Sequence, residues 1–214
     1  IEIDNGIYLA LLSGRTTLIK AGNISFETYY VAPDIPDFRV RSASTRTVSE
    51  TVFPQIREKA EAFSNNYNEL EIRLRGNYSV TFRLFNEGIA YRFSYSLKDS
   101  LKIVNENLDL YFEQGDSVWF QSSETFSSPY ETPYEHKDIN DIGKGRLCNL
   151  PVLIEKQNGT FIMITESDLY DYPGMWLAGT CKEQLSAVHP KYPEKLTGSR
   201  SEYNRNQVEQ TRDY

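Results

Sequence analysis

Glu166, Asp168 and Asp171 fall within TESDLYDYPGMW (residues 165–176), just after the apolar run Phe161-Ile162-Met163-Ile164. Carboxylates grouped in this way can ligate a cation, move a proton or build a turn. Strand alternation from Phe161 places Ile162, Ile164 and Glu166 on one face, so a carboxylate stands where the next core residue belongs. Buried alone and ionised, such a group costs several kcal/mol or neutralises. Three outcomes stay open: the strand ends and Glu166 is solvated, an arginine pairs with it, or it binds a cation. Asp168 and Asp171 read as turn builders, and Tyr172-Pro173-Gly174 suits a type II turn with Pro second and Gly third. The spacing does not match an EF-hand loop.

Other chemistry is sparse. His136 lies in the polar Tyr134-Glu135-His136-Lys137-Asp138 and His189 precedes a proline, so both read as surface histidines. The sequence holds no Gly-x-Ser-x-Gly elbow, no His-Glu-x-x-His and no phosphate-cradling glycine loop. Cys148 and Cys181 are too few for a disulfide framework and too far apart for metal-ligand spacing; they read as small buried residues, and sequence alone does not decide whether they pair. Tyr130-Glu131-Thr132-Pro133-Tyr134 combines rings and acids on a long loop. Such a loop suits sugar binding, through Tyr130 and Glu131, or packing on a sheet edge, and both readings stay open.

These residues must be carried by strands. Leu70, Ile72 and Leu74 alternate with Glu71, Arg73 and Arg75, Gly76-Asn77 turns the chain, and Tyr78, Val80, Phe82 and Leu84 continue the alternation. After Asn86-Glu87-Gly88, a third strand runs from Ile89 to Leu97. Leu150–Glu155 and Thr160–Thr165 form a second hairpin around Asn158-Gly159, whose residues should both take positive φ, and the apolar second strand should be covered on both faces. Shorter strands are expected at Leu9–Leu12, Thr17–Lys20, Ile24–Val31, Leu108–Phe112, Ser117–Gln121, Met175–Gly179 and Glu183–Val188. Only Ile56–Phe63 could make a few helical turns. The expectation is an all-β fold of two packed antiparallel sheets. Ser122–Arg146 reads as a functional loop, and residues from Thr197 on as a polar tail.

The 214 residues carry a net charge of −7, and the 23 basic residues are scattered. That leaves no basic footprint for nucleic acid. No apolar run approaches the roughly 20 residues of a membrane span. The chain opens on Ile1, from which a removed leader or a longer parent chain is expected.

The strings ITESDLYDYPGMWL (164–177), LPVLIEKQNGTFIMI (150–164) and FRLFNEGIAYRFSYSL (82–97) closely resemble the N-terminal domain of glycoside hydrolase family 97, a family of exported α-glucosidases and α-galactosidases. The resemblance implies a β-supersandwich over 1–197 and a polar tail or linker over 198–214. A catalytic (β/α)8 barrel would follow and would supply the catalytic acid and the base or nucleophile. None of those residues is then expected in this chain. The resemblance also implies that the domain packs on the barrel and gives one glutamate to a calcium ion beside an α-linked oligosaccharide. By its place in the motif that glutamate is Glu166. A periplasmic location is implied as well. The alternative is an independent carbohydrate-binding β-sandwich.

Overall fold

Strands make up nearly all the regular structure of the computed structural model, which describes residues 1–28, 37–56, 59–96, 103–128, 130–170, 172–197 and 207–212. The chain divides into two compact units, residues 1–30 with 101–214, and residues 31–100. The first unit opens with β1 (Glu2–Ile3), β2 (Ile7–Ser13) and β3 (Thr16–Thr28). The second is a meander of β4 (Asp37–Val52), β5 (Phe63–Arg75), β6 (Tyr78–Leu84) and β7 (Ile89–Tyr95), paired antiparallel in that order. The all-β expectation, with two main antiparallel sheets and little helix, holds.

In the meander, Gly76 (φ 77°) and Asn77 (φ 62°) both occupy the left-handed region, which matches the right-handed twist of β5 and β6. Tyr78, Val80 and Phe82 are buried along β6, as alternation requires. On the other face Glu69 is also buried, which the alternation does not announce. Arg46 Nε donates to its Oε1 at 2.5 Å and Arg83 Nε to its Oε2 at 2.8 Å, so two cross-strand arginines cover the acid. The Arg46 hydrogen bond is the main reason its pKa falls below the ordinary carboxylate value. The expected helix at Ile56–Phe63 is not found among the described residues of that stretch, and residues 57 and 58 lie outside them. Phe63 opens β5 opposite Val52, so pairing of two good strand formers overrides a weak helical pattern.

Returning to the first unit, the chain forms β8 (Ile103–Tyr111), β9 (Ser117–Ser123), β10 (Tyr134–Asp138), a 3-10 turn at Ile139–Asp141, β11 (Leu147–Glu155), β12 (Phe161–Ile164), β13 (Trp176–Gly179), β14 (Gln184–Val188), β15 (Tyr192–Thr197) and β16 (Gln207–Arg212). One large sheet runs β1-β2-β3-β8-β14-β13-β11-β9-β10, with β12 on β11, and β15 pairs with β16 separately. Its core follows the register. Ala21 pairs with Leu110 and Leu110 with Leu185, Cys148 with Leu177, and Ile154 with Val118, and all of these are buried.

Four expectations change. The polar stretch read as a tail contains β16, while residues 198–206 lie outside the described ones. Around Asn158-Gly159 only Gly159 takes positive φ, at 79°. Its N–H donates to the Lys156 carbonyl and the Lys156 N–H to the Thr160 carbonyl, both at 2.9 Å, which is the three-residue hairpin with a left-handed glycine rather than the two-residue form. β12 is not covered on both faces: Phe161 is 55% and Met163 66% exposed, while Ile162 and Ile164 on the opposite face are half-buried. Finally, Cys148 is buried while Cys181 is exposed, and both are free thiols. Burial pushes the Cys148 thiol up to about 12, so it is an inert core residue.

Candidate functional site

β11 carries two partners along one flank. Val152–Glu155 pair with β12 and Leu147–Cys148 with β13, while β9 occupies the opposite flank. Residues 165–175 therefore leave the sheet after Ile164 and return to it at Trp176. Glu166 closes the neck of this loop. The Met175 backbone N–H donates to both of its carboxylate oxygens, at 3.0 Å to Oε1 and 2.8 Å to Oε2. That N–H is the donor a Tyr172-Pro173-Gly174 type II turn would need, and its diversion explains why the turn does not form. Gly174 accordingly stays out of the left-handed region, and its lack of a side chain serves another end: a Cβ there would lie 3.3 Å from Glu166 Oε1.

Glu166 is half-buried. Desolvation is the largest influence on it and raises its pKa above the usual carboxylate value, the Met175 hydrogen bond opposes that rise, and the charge of Glu106 adds to it. Among the described residues Glu166 forms no ion pair with a basic side chain. A carboxylate so placed has lone pairs left over and would gain from a nearby cation. Its chemistry suits a calcium ligand, but as one contributor only, since the described residues contain no group of three His, Cys, Asp or Glu side chains able to hold a metal.

Tyr130 is brought to this carboxylate. The left-handed φ of 57° at Tyr130 is braced by its N–H on Ser128 Oγ at 3.2 Å and its carbonyl on Gln121 Nε2 at 3.3 Å. Its ring centroid sits 5.4 Å from that of Trp176, which also meets Phe126 edge-on at 5.6 Å. Trp176 packs with Leu147, Ala178 and Val188, so a buried indole anchors the site to the sheet. Burial first, then the Glu166 charge, raises the Tyr130 pKa, keeping its hydroxyl protonated. Glu131 is exposed and has no hydrogen bond among the described residues. Asp168 is exposed with φ 64°, and its carbonyl accepts from the Tyr170 N–H at 2.9 Å, in keeping with a turn role. Asp171 lies outside the described residues.

His136 is exposed, as the surface reading expects, whereas His189 departs from it. His136 belongs to β10, and its ring stacks on Trp119 with centroids 4.2 Å apart. Ser117 Oγ and Glu155 Oε2 both approach its Nε2, at 2.8 and 3.2 Å. A nucleophile relay needs the two ring nitrogens on different partners, so this is not one. His189 is half-buried, edge-on to Tyr172 at 6.2 Å, and its Nδ1 is buried with no hydrogen-bond partner among the described residues. Burial lowers its pKa and favours the neutral ring.

Sequence reasoning missed Glu106 and Tyr172. Glu106 lies on β8 in register with the buried Leu108 and Leu110, the same carboxylate-in-core-parity signal that singled out Glu166. Tyr172 OH donates to Glu106 Oε2 at 2.7 Å, across 66 residues of sequence.

The family model for the glycosyl-hydrolase 97 N-terminal domain matches residues 3–209. The chain belongs to that family. A curated retaining alpha-galactosidase of Bacteroides thetaiotaomicron is 32% identical over 164 residues, covering 72% of this chain and 25% of the galactosidase. A glycoside hydrolase family 97 enzyme of Pseudoalteromonas sp. in complex with panose superposes with a TM-score of 0.74 at 19% identity, over 88% of this chain and 30% of that one. In its acarbose complex the values are 0.67, 18%, 86% and 30%. These likenesses show a shared fold, and the glycosyl-hydrolase 97 N-terminal domain spans about a third or less of each relative's length.

Proposed function

We propose that this family 97 domain is the non-catalytic N-terminal part of a calcium-dependent α-glycosidase, packed on a catalytic barrel and lending Glu166 to an active-site calcium ion. The observation that carries the reading is the state of Glu166: half-buried, raised in pKa and without a basic partner among the described residues. The relatives, a retaining alpha-galactosidase and an enzyme crystallised with panose and acarbose, support an α-linked oligosaccharide as substrate. When bound, calcium supplies positive charge beside the glycosidic oxygen. Glu166, whose carboxylate is fixed by the Met175 N–H, would be one of its ligands, and Tyr130 and Glu131 would offer a ring face and a carboxylate for a sugar. Export to the periplasm is part of the same reading.

The test uses the full-length enzyme. Glu166→Gln should raise the calcium concentration for half-maximal activity at least about tenfold. Its calcium-free stability should not fall. A carboxylate whose pKa is raised on folding is a burden while ionised, and that burden is relieved as pH drops through the folded pKa toward the unfolded value. An amide removes it at neutral pH. Unchanged calcium dependence in Glu166→Gln would refute the reading.

A second reading, direct sugar recognition by this domain, is favoured by the exposed Tyr130 ring at 50% beside Trp176. Tyr130→Ala should then raise KM about threefold to tenfold with kcat held, since stacking on one ring is worth about 1 kcal/mol. An unaltered KM removes Tyr130 from the substrate site.

A further inference from the structure

We propose that Glu106 and Tyr172 act as a positioning pair that sets Glu166 for its cation, an inference that rests on the calcium reading of Glu166 given above. The loop 165–175 is tied to the sheet at two places. At its neck the Glu166 carboxylate holds the Met175 N–H. On its far side Tyr172 OH donates to Glu106 Oε2 at 2.7 Å, and Glu106 sits on β8, opposite Phe26 of β3. The Tyr172 ring also meets the edge of His189, which follows directly on β14. Tyr172 is two residues from Gly174, whose backbone must stay close to Glu166 Oε1. A shift of Tyr172 therefore moves the Met175 donor, and with it the carboxylate.

Glu106 contributes in a second way. Its charge is felt at Glu166, so it adds negative potential where a cation would bind without itself completing a metal cluster. A hydrogen-bond acceptor role alone would not require an acid at this position. Outer partners that orient a metal ligand change affinity by about ten to a hundredfold when removed.

Calcium binding to the full-length enzyme, measured by titration calorimetry with the metal alone, separates the two contributions. Tyr172→Phe keeps the ring against His189 but deletes the hydroxyl; it should weaken calcium about tenfold with little change in salt dependence. Glu106→Gln keeps an acceptor for Tyr172 but deletes the charge; it should weaken calcium and flatten the dependence on ionic strength. In both, calcium-free thermal unfolding should match wild type. Wild-type affinity in Tyr172→Phe or in Glu106→Gln overturns the pair, as does a calcium-free destabilisation large enough to account for the whole loss. Glu166→Gln, run alongside, reports on the underlying reading separately: it must lose calcium whether or not the pair acts as described.

Discussion

Replacing Lys156 by Met is expected to lower the unfolding free energy by about 3–5 kcal/mol. Lys156 is 5% exposed and Asp116 1%. The ammonium lies 2.7 Å from Asp116 Oδ2 and 3.2 Å from Glu113 Oε2. Asp116 also accepts the Glu113 N–H at 2.9 Å, and its carbonyl accepts the Ile139 N–H at 3.2 Å. Asp116 thus joins the β8–β9 turn and the β11–β12 hairpin through its carboxylate, and the 3-10 turn after β10 through its carbonyl. Burial opposes the lysine charge, but its hydrogen bonds to Asp116 and Glu113 outweigh this, and its pKa stands above the ordinary lysine value. For a group raised on folding, the stabilisation is complete below the unfolded pKa of about 10.4 and is lost only as pH climbs through the folded value. Methionine keeps the apolar stem and leaves Asp116 charged, dry and without its cation. The double variant Lys156→Met, Asp116→Asn should recover part of the loss, because no unpaired charge remains. Urea unfolding of the wild type and the two variants at neutral pH checks this; a Lys156→Met cost under about 1 kcal/mol would show that water reaches Asp116.

The second large effect falls on Gly179. A methyl group there would meet Ile142 Cγ2, the Gly143 carbonyl oxygen at 2.6 Å and the Ile142 carbonyl oxygen at 2.7 Å. Two of these three obstacles are main chain. They cannot swing aside, since the Gly179 N–H donates to the Arg146 carbonyl at 3.0 Å and its carbonyl accepts from the Gly145 N–H at 2.8 Å. Ile142 itself is fully buried. Gly179→Ala should cost about 2–4 kcal/mol through backbone displacement and overpacking. Gly143→Ala provides the control: nothing lies within 4 Å of a Cβ there and its φ is ordinary, so its unfolding midpoint should stay close to wild type. Equal midpoints for the two variants would disprove the steric account.

Much of this architecture was readable as parity. The hairpin from Leu70 to Leu84 alternates in sequence and in burial because each strand buries one face. The same rule exposed Glu166 as an acid in a core position, and extended two residues before Leu108 it would have exposed Glu106. What parity could not supply was partners distant along the chain. The Met175 N–H reaches back 9 residues to Glu166, and that single bond cancels the turn that Pro173-Gly174 advertises. Glu106 and Tyr172 meet across four intervening strands of sequence. Face coverage was equally hidden: Phe161 and Met163 look like buried residues by type, yet they lie on the exposed face of β12, so composition alone misjudged them. His136 looked like a loop residue because its neighbours are polar, whereas pairing with Trp119 makes it part of a strand.

The interruption between β12 and β13 separates two inheritances. Because β11 holds both halves of its flank in register independently, residues can be gained or lost between Ile164 and Trp176 without sliding a single backbone pair elsewhere in the sheet. Length can therefore vary along this stretch at little cost to the pairing of β11 with either β12 or β13.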